Sequence, residues 1–370
     1  MQKKILRYFV LFFGLIFTAQ SQSDSIPANI WQIKPTFNTG FLMVHRIGIG
    51  HLVKGYPTIY ELNVSKTTNG SKIWQLENNK PDIGLSVQCI DFRNPKQLGY
   101  ALSVVPYVEI PLSKQERVSR MILRLCFGAT YVTKHFDIST NHKNIAVGSA
   151  LNAYVQFKWF WHLKINSQLR FEPGFTFTHL SNGRSNVPNL GLNIFSVNAG
   201  INYQFKHQQK LKLSIDSSTR AKSKHEVILI SAIGPNQINV NGPHYRSFLF
   251  SAAYQFNKRN THKFSAGIDF FYDEIYQIDS KHLTGRDNVG FEKFRMSARL
   301  GYSYNVGRVS FPIEIGYYIY NTTVPDATVV SRIGVRYYSA SGLIGHFGLR
   351  THYAVAYNFE YGIGYRFNLK

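Results

Sequence analysis

Apolar and polar side chains alternate along most of the chain after residue 36. The final segment follows this pattern most strictly, because its even positions from 354 to 368 are small, polar or charged while its odd positions are apolar: Tyr353, Val355, Tyr357, Phe359, Tyr361, Ile363, Tyr365, Phe367 and Leu369. A period of two places successive side chains on opposite faces of a β-strand. The pattern therefore predicts a C-terminal strand with one apolar face.

The same alternation recurs in many other segments of membrane-strand length. Residues 294–304 and 309–319 are clear examples, and in both the second face carries charges and glycine. Eight candidate strands precede residue 207, a polar stretch follows at 206–224, and about eight more candidates come after it, so the chain offers roughly 14 to 16 strands of the length that a membrane requires. The sequence predicts an all-β fold.

Alternation alone does not separate a soluble β-sandwich from a transmembrane barrel. Aromatic residues make up 15% of the chain, which favours strands with one lipid-facing side. We therefore predict one antiparallel transmembrane β-barrel over residues 22–370, with roughly 14 to 16 strands. The alternative is an eight-stranded barrel followed by a second β region, with the division near residues 206 and 207.

The N-terminus has the features of a signal peptide over residues 1–21. Lys3, Lys4 and Arg7 precede a short apolar run at 8–17, and Ala19-Gln20-Ser21 supplies small residues for cleavage. The apolar run is too short for a transmembrane helix. Export and a barrel fold together predict the bacterial outer membrane.

The formal charge of +22 would often indicate a nucleic-acid partner. Export argues against that partner, and the phosphates of lipopolysaccharide are the anionic neighbours of an outer-membrane surface. An equally good explanation is that the charge keeps the loops solvated. The two cysteines, Cys89 and Cys126, lie on separate predicted strands and define neither a disulfide scaffold nor a metal site. We expect them to pack as small hydrophobic residues.

Candidate catalytic residues appear where the apolar face of one predicted strand ends in polar side chains. The odd face of residues 171–182 carries phenylalanines and then ends in His179 and Ser181, two residues apart on the same side. Polar groups on a lipid-facing surface are costly unless they lie near its rim or act chemically. A histidine within reach of a serine hydroxyl is the minimum for an activated nucleophile.

The next predicted strand begins its apolar face with Asn193 and continues to residue 205. Antiparallel pairing would bring Asn193 beside His179, where an amide could orient the imidazole. The alternative is that His179, Ser181 and Asn193 are ordinary polar residues at a loop junction. The sequence lacks a G-x-S-x-G elbow, an HExxH motif and a P-loop.

The motif His179-Leu180-Ser181-Asn182-Gly183, followed by Pro188-Asn189-x-Gly191, resembles the active-site segment of the lipid A 3-O-deacylase (PagL-type) acyloxyacyl hydrolases. The similarity is best from about residue 122 to 206. It implies an outer-membrane β-barrel that removes an ester-linked acyl chain from lipid A, the anchor of lipopolysaccharide, with no metal or cofactor. The family barrel has eight strands, so residues 207–370 are expected to be additional strands without a counterpart.

The resemblance also implies a role for each matched residue. Ser181 would be the nucleophile and His179 its general base, and Asn189 would help form the oxyanion hole. Asn182 matches a supporting motif residue, and Gly183 would supply a backbone N–H to the oxyanion. The chain departs from the family at Asn193, which stands where the triad has glutamate, and at Arg184, which stands where the family has glycine.

We therefore predict a serine esterase that acts on lipid A from the lipid-facing surface of a barrel. Two other functions stay open. A barrel of 14 to 16 strands has room for an aqueous channel, which five charged residues would line: Arg295, Arg299, Glu314, Glu360 and Arg366. The third is a non-catalytic structural barrel.

Overall fold

The computed structural model describes residues 30–113, 119–205, 224–276, 293–321, 328–353 and 355–369. The predicted signal peptide at 1–21 and nearly all of the polar stretch at 206–224 lie outside the described residues.

The described residues form sixteen antiparallel β-strands, eight on each side of residue 206. The first eight are β1 (Trp31–Leu42), β2 (Thr58–Thr67), β3 (Asp82–Asp91), β4 (Tyr100–Pro111), β5 (Ser119–Val132), β6 (Leu151–Lys164), β7 (Leu169–Ser181) and β8 (Leu192–Gln204). The second eight are β9 (His225–Gln237), β10 (His244–Asn257), β11 (His262–Asp273), β12 (Phe294–Val306), β13 (Val309–Asn321), β14 (Val329–Tyr338), β15 (Leu343–His352) and β16 (Val355–Leu369). The all-β prediction and the strand count are confirmed.

Each set of eight strands closes on itself. β8 pairs with β1 to complete the first barrel, and β16 pairs with β9 to complete the second. The prediction of one large barrel is therefore wrong, because no strand edge of either set is left to join the other. The alternative that the sequence left open, an eight-stranded barrel followed by a second β region, describes the fold.

The two ends of the barrels differ. At one end, here called the loop end, the first barrel carries long connections at 43–57, 92–99, 133–150 and 182–191. At the opposite end, the turn end, the connections at 165–168, 258–261, 307–308 and 339–342 are short, whereas the connection at 68–81 is longer and carries a helix. This asymmetry is typical of outer-membrane barrels.

Short helical segments lie at Gly50–Leu52 and at Ile73–Glu77, the latter named α1. Neither segment, nor any other helix in the described ranges, has the length and apolarity that crossing a bilayer requires.

The predicted alternation is present in the walls. In β7, Phe171 and Phe175 point outward and are exposed, whereas Glu172 and Thr176 are buried inside. The C-terminal strand departs from it at one place. The β15–β16 register shifts between Arg350 and Thr351, and Tyr357 packs on the Arg350 guanidinium inside the barrel. The prediction that every odd side chain of this strand shares one face is wrong there, since a bulge re-aims the residue that it adds.

The first barrel is filled by two layers. Towards the turn end, Arg124 pairs with Glu61 (3.3 Å) and Glu109, while Lys158 pairs with Glu61 (3.0 Å) and Lys34 with Glu109. Towards the loop end, side chains from the connections and strand ends form an apolar plug that includes Leu42, Ile49, Leu52, Phe92, Leu98, Val147, Leu180 and Leu192. The plug gives the loop-end rim a packed support.

The second barrel is filled mainly by arginines and carboxylates. The Glu314 carboxylate accepts hydrogen bonds from Arg299 (2.7 Å), Arg332 (2.8 Å) and Arg336 (2.9 Å). The five residues predicted to line a lumen do lie inside this barrel, and Glu314 and Glu360 are almost completely buried there. Eight strands enclose a space that side chains can fill. The channel function therefore loses the wide lumen on which it depended.

The outer walls of the two barrels pack against each other. Phe127 of β5 lies 4.7 Å from Phe347 of β15, measured between ring centroids. At the turn end, the Tyr304 hydroxyl donates to Asn78 Oδ1 (2.5 Å), next to α1. The second barrel therefore lies beside the first along its height, and its loop end comes next to the β7–β8 connection.

Candidate active site

The residues singled out by sequence meet at the loop-end rim of the first barrel. β7 ends at Ser181 and β8 begins at Leu192, so both strands reach the rim at the same point. In the antiparallel register, His179 lies directly opposite Asn193. The predicted juxtaposition of these two residues is present in the structure.

The His179 Nδ1 atom lies 2.5 Å from the Asn193 Oδ1 atom. An amide oxygen can only accept a hydrogen bond, so this contact requires a proton on Nδ1, and in a neutral imidazole that is the ring's single N–H. The Nε2 atom is then left with its lone pair. This is the tautomer that a general base for the neighbouring serine requires.

Two backbone features hold this pair in place. The Asn193 carbonyl accepts the Met43 N–H (2.8 Å), which ties the start of β8 to the end of β1. Gly191 has a φ of +77°, and a Cβ at this position would lie 2.9 Å from His179 Cε1. Glycine therefore permits both the left-handed backbone and the close approach of the imidazole.

Ser181 is buried, with 3% of its surface exposed, and pairs with Ala153 of β6. Its Oγ atom accepts the backbone N–H of Gly183 (3.3 Å). Within the described residues, no hydrogen bond joins Ser181 to His179, although both side chains leave the same face of β7. Catalytic hydrogen bonds are often made only when substrate is bound.

Asn189 presents a donor to the same region. Its Oδ1 atom accepts the Asn182 N–H (3.2 Å), which fixes the orientation of the amide. The Nδ2 atom is buried and has no hydrogen-bond partner among the residues that the structure describes. A buried amide donor without a partner is costly unless a ligand or water accepts from it.

Asn182 supports the turn with its side chain. Its Nδ2 atom donates to Ser149 Oγ (3.0 Å) and to the Asn186 carbonyl (2.9 Å). Sequence reasoning did not identify Ser149, or Gly148, whose absent Cβ leaves room for the carbonyls of Asn186 and Pro188. Their only signal in the sequence is that they lie within the region 122–206 of best family similarity.

The apolar wall continues below the polar cluster. Phe177 lies opposite Phe195 in the strand register, and the Phe195 ring lies 5.8 Å from Phe41 and 6.3 Å from Phe175. In the described part of the chain, no group of three or more His, Cys, Asp or Glu residues is arranged to hold a metal ion. Taken together, a serine hydroxyl, an oriented imidazole, two amide donors and an apolar wall are the components of acyl transfer.

Two family models match the chain, one on each barrel. The model for lipid A 3-O-deacylase (PagL) matches residues 58–202, and the model for the acyloxyacyl hydrolase C-terminal domain matches residues 225–369. The expectation that the residues after 207 have no counterpart in the family is therefore wrong. No curated protein matches the chain in sequence.

Solved structures of outer-membrane barrels are similar only at a general level. Neisserial surface protein A is 8% identical, with a TM-score of 0.34, and the match covers 47% of this chain and 97% of that one. A triple mutant of the Rhodopseudomonas blastica porin is 9% identical, with a TM-score of 0.18, and the match covers 92% of this chain and 99% of that one.

Proposed function

Because the chain belongs to the PagL-type family of lipid A deacylases, which are carboxylic ester hydrolases, we propose that Ser181, His179 and Asn193 form its catalytic site on the lipid-facing rim of the first barrel. The observation that carries this proposal is the contact of His179 Nδ1 with Asn193 Oδ1 at 2.5 Å. It leaves His179 Nε2 free to act as a base on the side chain that shares its strand face.

The proposed reaction has two steps. His179 Nε2 takes the proton of the Ser181 hydroxyl while Oγ attacks the carbonyl carbon of an acyl ester, and the C–O bond to the sugar breaks as His179 returns the proton to the leaving alkoxide. Water then attacks the acyl-enzyme with His179 as base again, which releases the fatty acid and restores Ser181.

The oxyanion of each tetrahedral intermediate needs donors that do not have to reorganise. Asn189 Nδ2 is such a donor, because its amide is already oriented by Asn182 and it has no partner among the described residues. The Gly183 N–H is a second candidate, because it already points at Ser181 Oγ. Asn182 serves as the brace between them.

The substrate that fits this position is an acyl ester of a lipid already in the membrane. Phe177 and Phe195 continue the outer wall beneath the polar cluster, so an acyl chain can stay in an apolar environment while its ester reaches the rim. The chain's net positive charge is compatible with a substrate that bears phosphates.

Mass spectrometry of lipid A from cells that express the protein tests the proposal. Ser181→Ala should reduce deacylation by about 10⁴-fold or more, because it removes the nucleophile. Ser185→Ala, in the same connection, is the matched control and should retain activity. Unchanged deacylation by the Ser181→Ala variant, folded and present at the wild-type level, would contradict the proposal.

A further inference from the structure

The connection that carries the proposed oxyanion donors also contacts the second barrel. Gln237, the last residue of β9, donates its backbone N–H to the Arg184 carbonyl (3.1 Å). Its side-chain Oε1 atom accepts the Val187 N–H (2.8 Å). One residue of the second barrel therefore holds two backbone positions in the middle of the segment 183–189.

The orientation of the Gln237 amide is itself determined. Its Nε2 atom donates to the Gly242 carbonyl (2.8 Å) in the β9–β10 connection, and the residue is 4% exposed. Because both ends of the amide are used, rotation of the amide group would place a donor against Val187 N–H and an acceptor against a carbonyl. The acceptor that Val187 needs is therefore built into the second barrel.

A second contact supports the start of the segment. A Cβ at Gly183 would lie 2.6 Å from the ring of Phe359 on β16, so the Gly183 backbone lies directly on that ring. Phe359 is in turn 5.0 Å from Phe347, which reaches Phe127 of the first barrel at 4.7 Å. The segment thus rests on a row of rings that joins the two walls.

These contacts fall between the two proposed donors, Gly183 N–H at one end of the segment and Asn189 Nδ2 at the other. From the first barrel, Asn182 donates to the Asn186 carbonyl, and Gly148 lies close to the carbonyls of Asn186 and Pro188. We propose that Gln237 is a positioning residue for the oxyanion donors, so that the active site of the first barrel is completed by the second. This inference rests on the proposed function.

Substitutions at Gln237 in the full-length protein test this role. Gln237→Met keeps the length and burial of the side chain but removes the acceptor for Val187, and kcat for lipid A deacylation should fall about tenfold while KM stays unchanged. That loss is smaller than the roughly 10²–10³ seen when an oxyanion donor is removed outright. Gln237→Glu keeps the acceptor for Val187, and its protonated form also keeps a donor for the Gly242 carbonyl. This variant should therefore recover much of the rate at low pH, relative to the wild type at the same pH, whereas Gln237→Met should not.

The matched control is Gln255→Met, which removes another buried glutamine of the second barrel, one that bonds Glu226 near the turn end. It should leave kcat unchanged even if it lowers stability. A tenfold loss in both variants, or a rise in KM with kcat unchanged for Gln237→Met, would overturn the positioning role.

A double-mutant cycle separates positioning from general support. If Gln237 acts through the donors, Gln237→Met should cost little in a protein that already carries Asn189→Ala. Full additivity would overturn the inference. The proposed function can fail separately from this inference. If Ser181→Ala stays active, the proposed function is wrong. If Ser181→Ala is inactive but Gln237→Met has full activity, only the role of Gln237 is wrong.

Discussion

The two barrels have the same wall and differ in what fills their loop ends. In the first, the long connections fold inward as an apolar plug, with Ile49, Leu52, Phe92 and Val147 among its members. In the second, tyrosines and arginines occupy the same level, and Arg295 lies 3.6 Å from the ring of Tyr276. The candidate catalytic residues lie only on the barrel whose rim is supported by the plug.

The difference indicates that the strands alone do not create the site. Both walls are closed and rich in outward aromatic side chains, yet His179, Ser181 and Asn193 all lie at the rim of the first barrel. What distinguishes the first rim is the packing of its connections, which fixes where β7 ends and β8 begins. The second barrel contributes by holding the β7–β8 connection from outside.

The largest effect should come from the charged interior of the second barrel. Glu314→Gln removes the carboxylate that three arginines share. Breaking a buried ion pair by removing one partner costs about 3–5 kcal/mol. We expect the second barrel to unfold at a lower temperature than the first, which would sharpen the distinction between them.

The positions of the tryptophans allow the unfolding of the two barrels to be followed separately. Three of the chain's four tryptophans, Trp31, Trp159 and Trp161, lie on the first barrel, whereas Trp74 of α1 packs against Val306 of the second. In a Trp74→Phe background, tryptophan fluorescence therefore follows the first barrel, and far-UV circular dichroism follows both barrels. Glu314→Gln should move the dichroism transition ahead of the fluorescence transition. Glu61→Gln, the counterpart inside the first barrel, should move the fluorescence transition first. Coincident transitions in both variants would show that the barrels unfold as one unit.

A smaller effect is expected at the catalytic rim of the first barrel. Asn193→Asp keeps the acceptor for His179 Nδ1–H and adds the negative charge that stabilises an imidazolium. We expect kcat to rise at least about tenfold. The upper limit is roughly 10⁴-fold, the loss in kcat when the carboxylate of a serine triad is replaced by an amide. Single-turnover deacylation of purified lipopolysaccharide measures the change.

Asn193→Ala provides the comparison, because it removes the acceptor altogether and should slow the reaction. If Asn193→Asp were slower than the wild type, Asn193 would not act as the orienting group of a triad. The site would then differ from its family by more than one charge.

The smallest effect should appear where the two walls meet. Phe347→Leu keeps an apolar side chain but removes the ring that packs against Phe127 and Phe359. Aromatic pairs contribute about 0.5–1.5 kcal/mol beyond the area that they bury. The midpoint temperature of the unfolding transition followed by circular dichroism should therefore fall, because this stabilisation is lost. Phe250→Leu, whose ring pairs with Phe270 within the second barrel, is the control. For each variant, the difference between the fluorescence and the circular-dichroism transition temperatures is measured. If this difference is the same in Phe347→Leu and Phe250→Leu, the Phe127–Phe347 contact does not couple the barrels.

The alternation of the sequence was sufficient to predict the strands and their outward faces. It also predicted that Asn193 lies beside His179, because a hairpin places the end of one strand opposite the start of the next. These features depend on neighbours that are close in the chain.

Closure into two barrels depends instead on long-range pairing. Whether β8 meets β1 or continues to β9 is decided by contacts such as Gln32 with Gln204, which leave no local signal. The bulge at Tyr357 and the hydrogen bond between Val187 and Gln237 also depend on residues far apart in the chain, so the local pattern did not predict them. Gln237 lies 50 residues from its partner and on a different barrel.

Double closure has a consequence for how the protein is assembled in a membrane. Every edge of the first barrel is paired without any residue beyond Gln204, and every edge of the second without any residue before His225. Unpaired strand edges are excluded from the hydrocarbon region. The first barrel can therefore close and insert before the C-terminal strands are present. The assembly pathway then has an intermediate in which the first barrel is in the membrane and the second has not yet inserted.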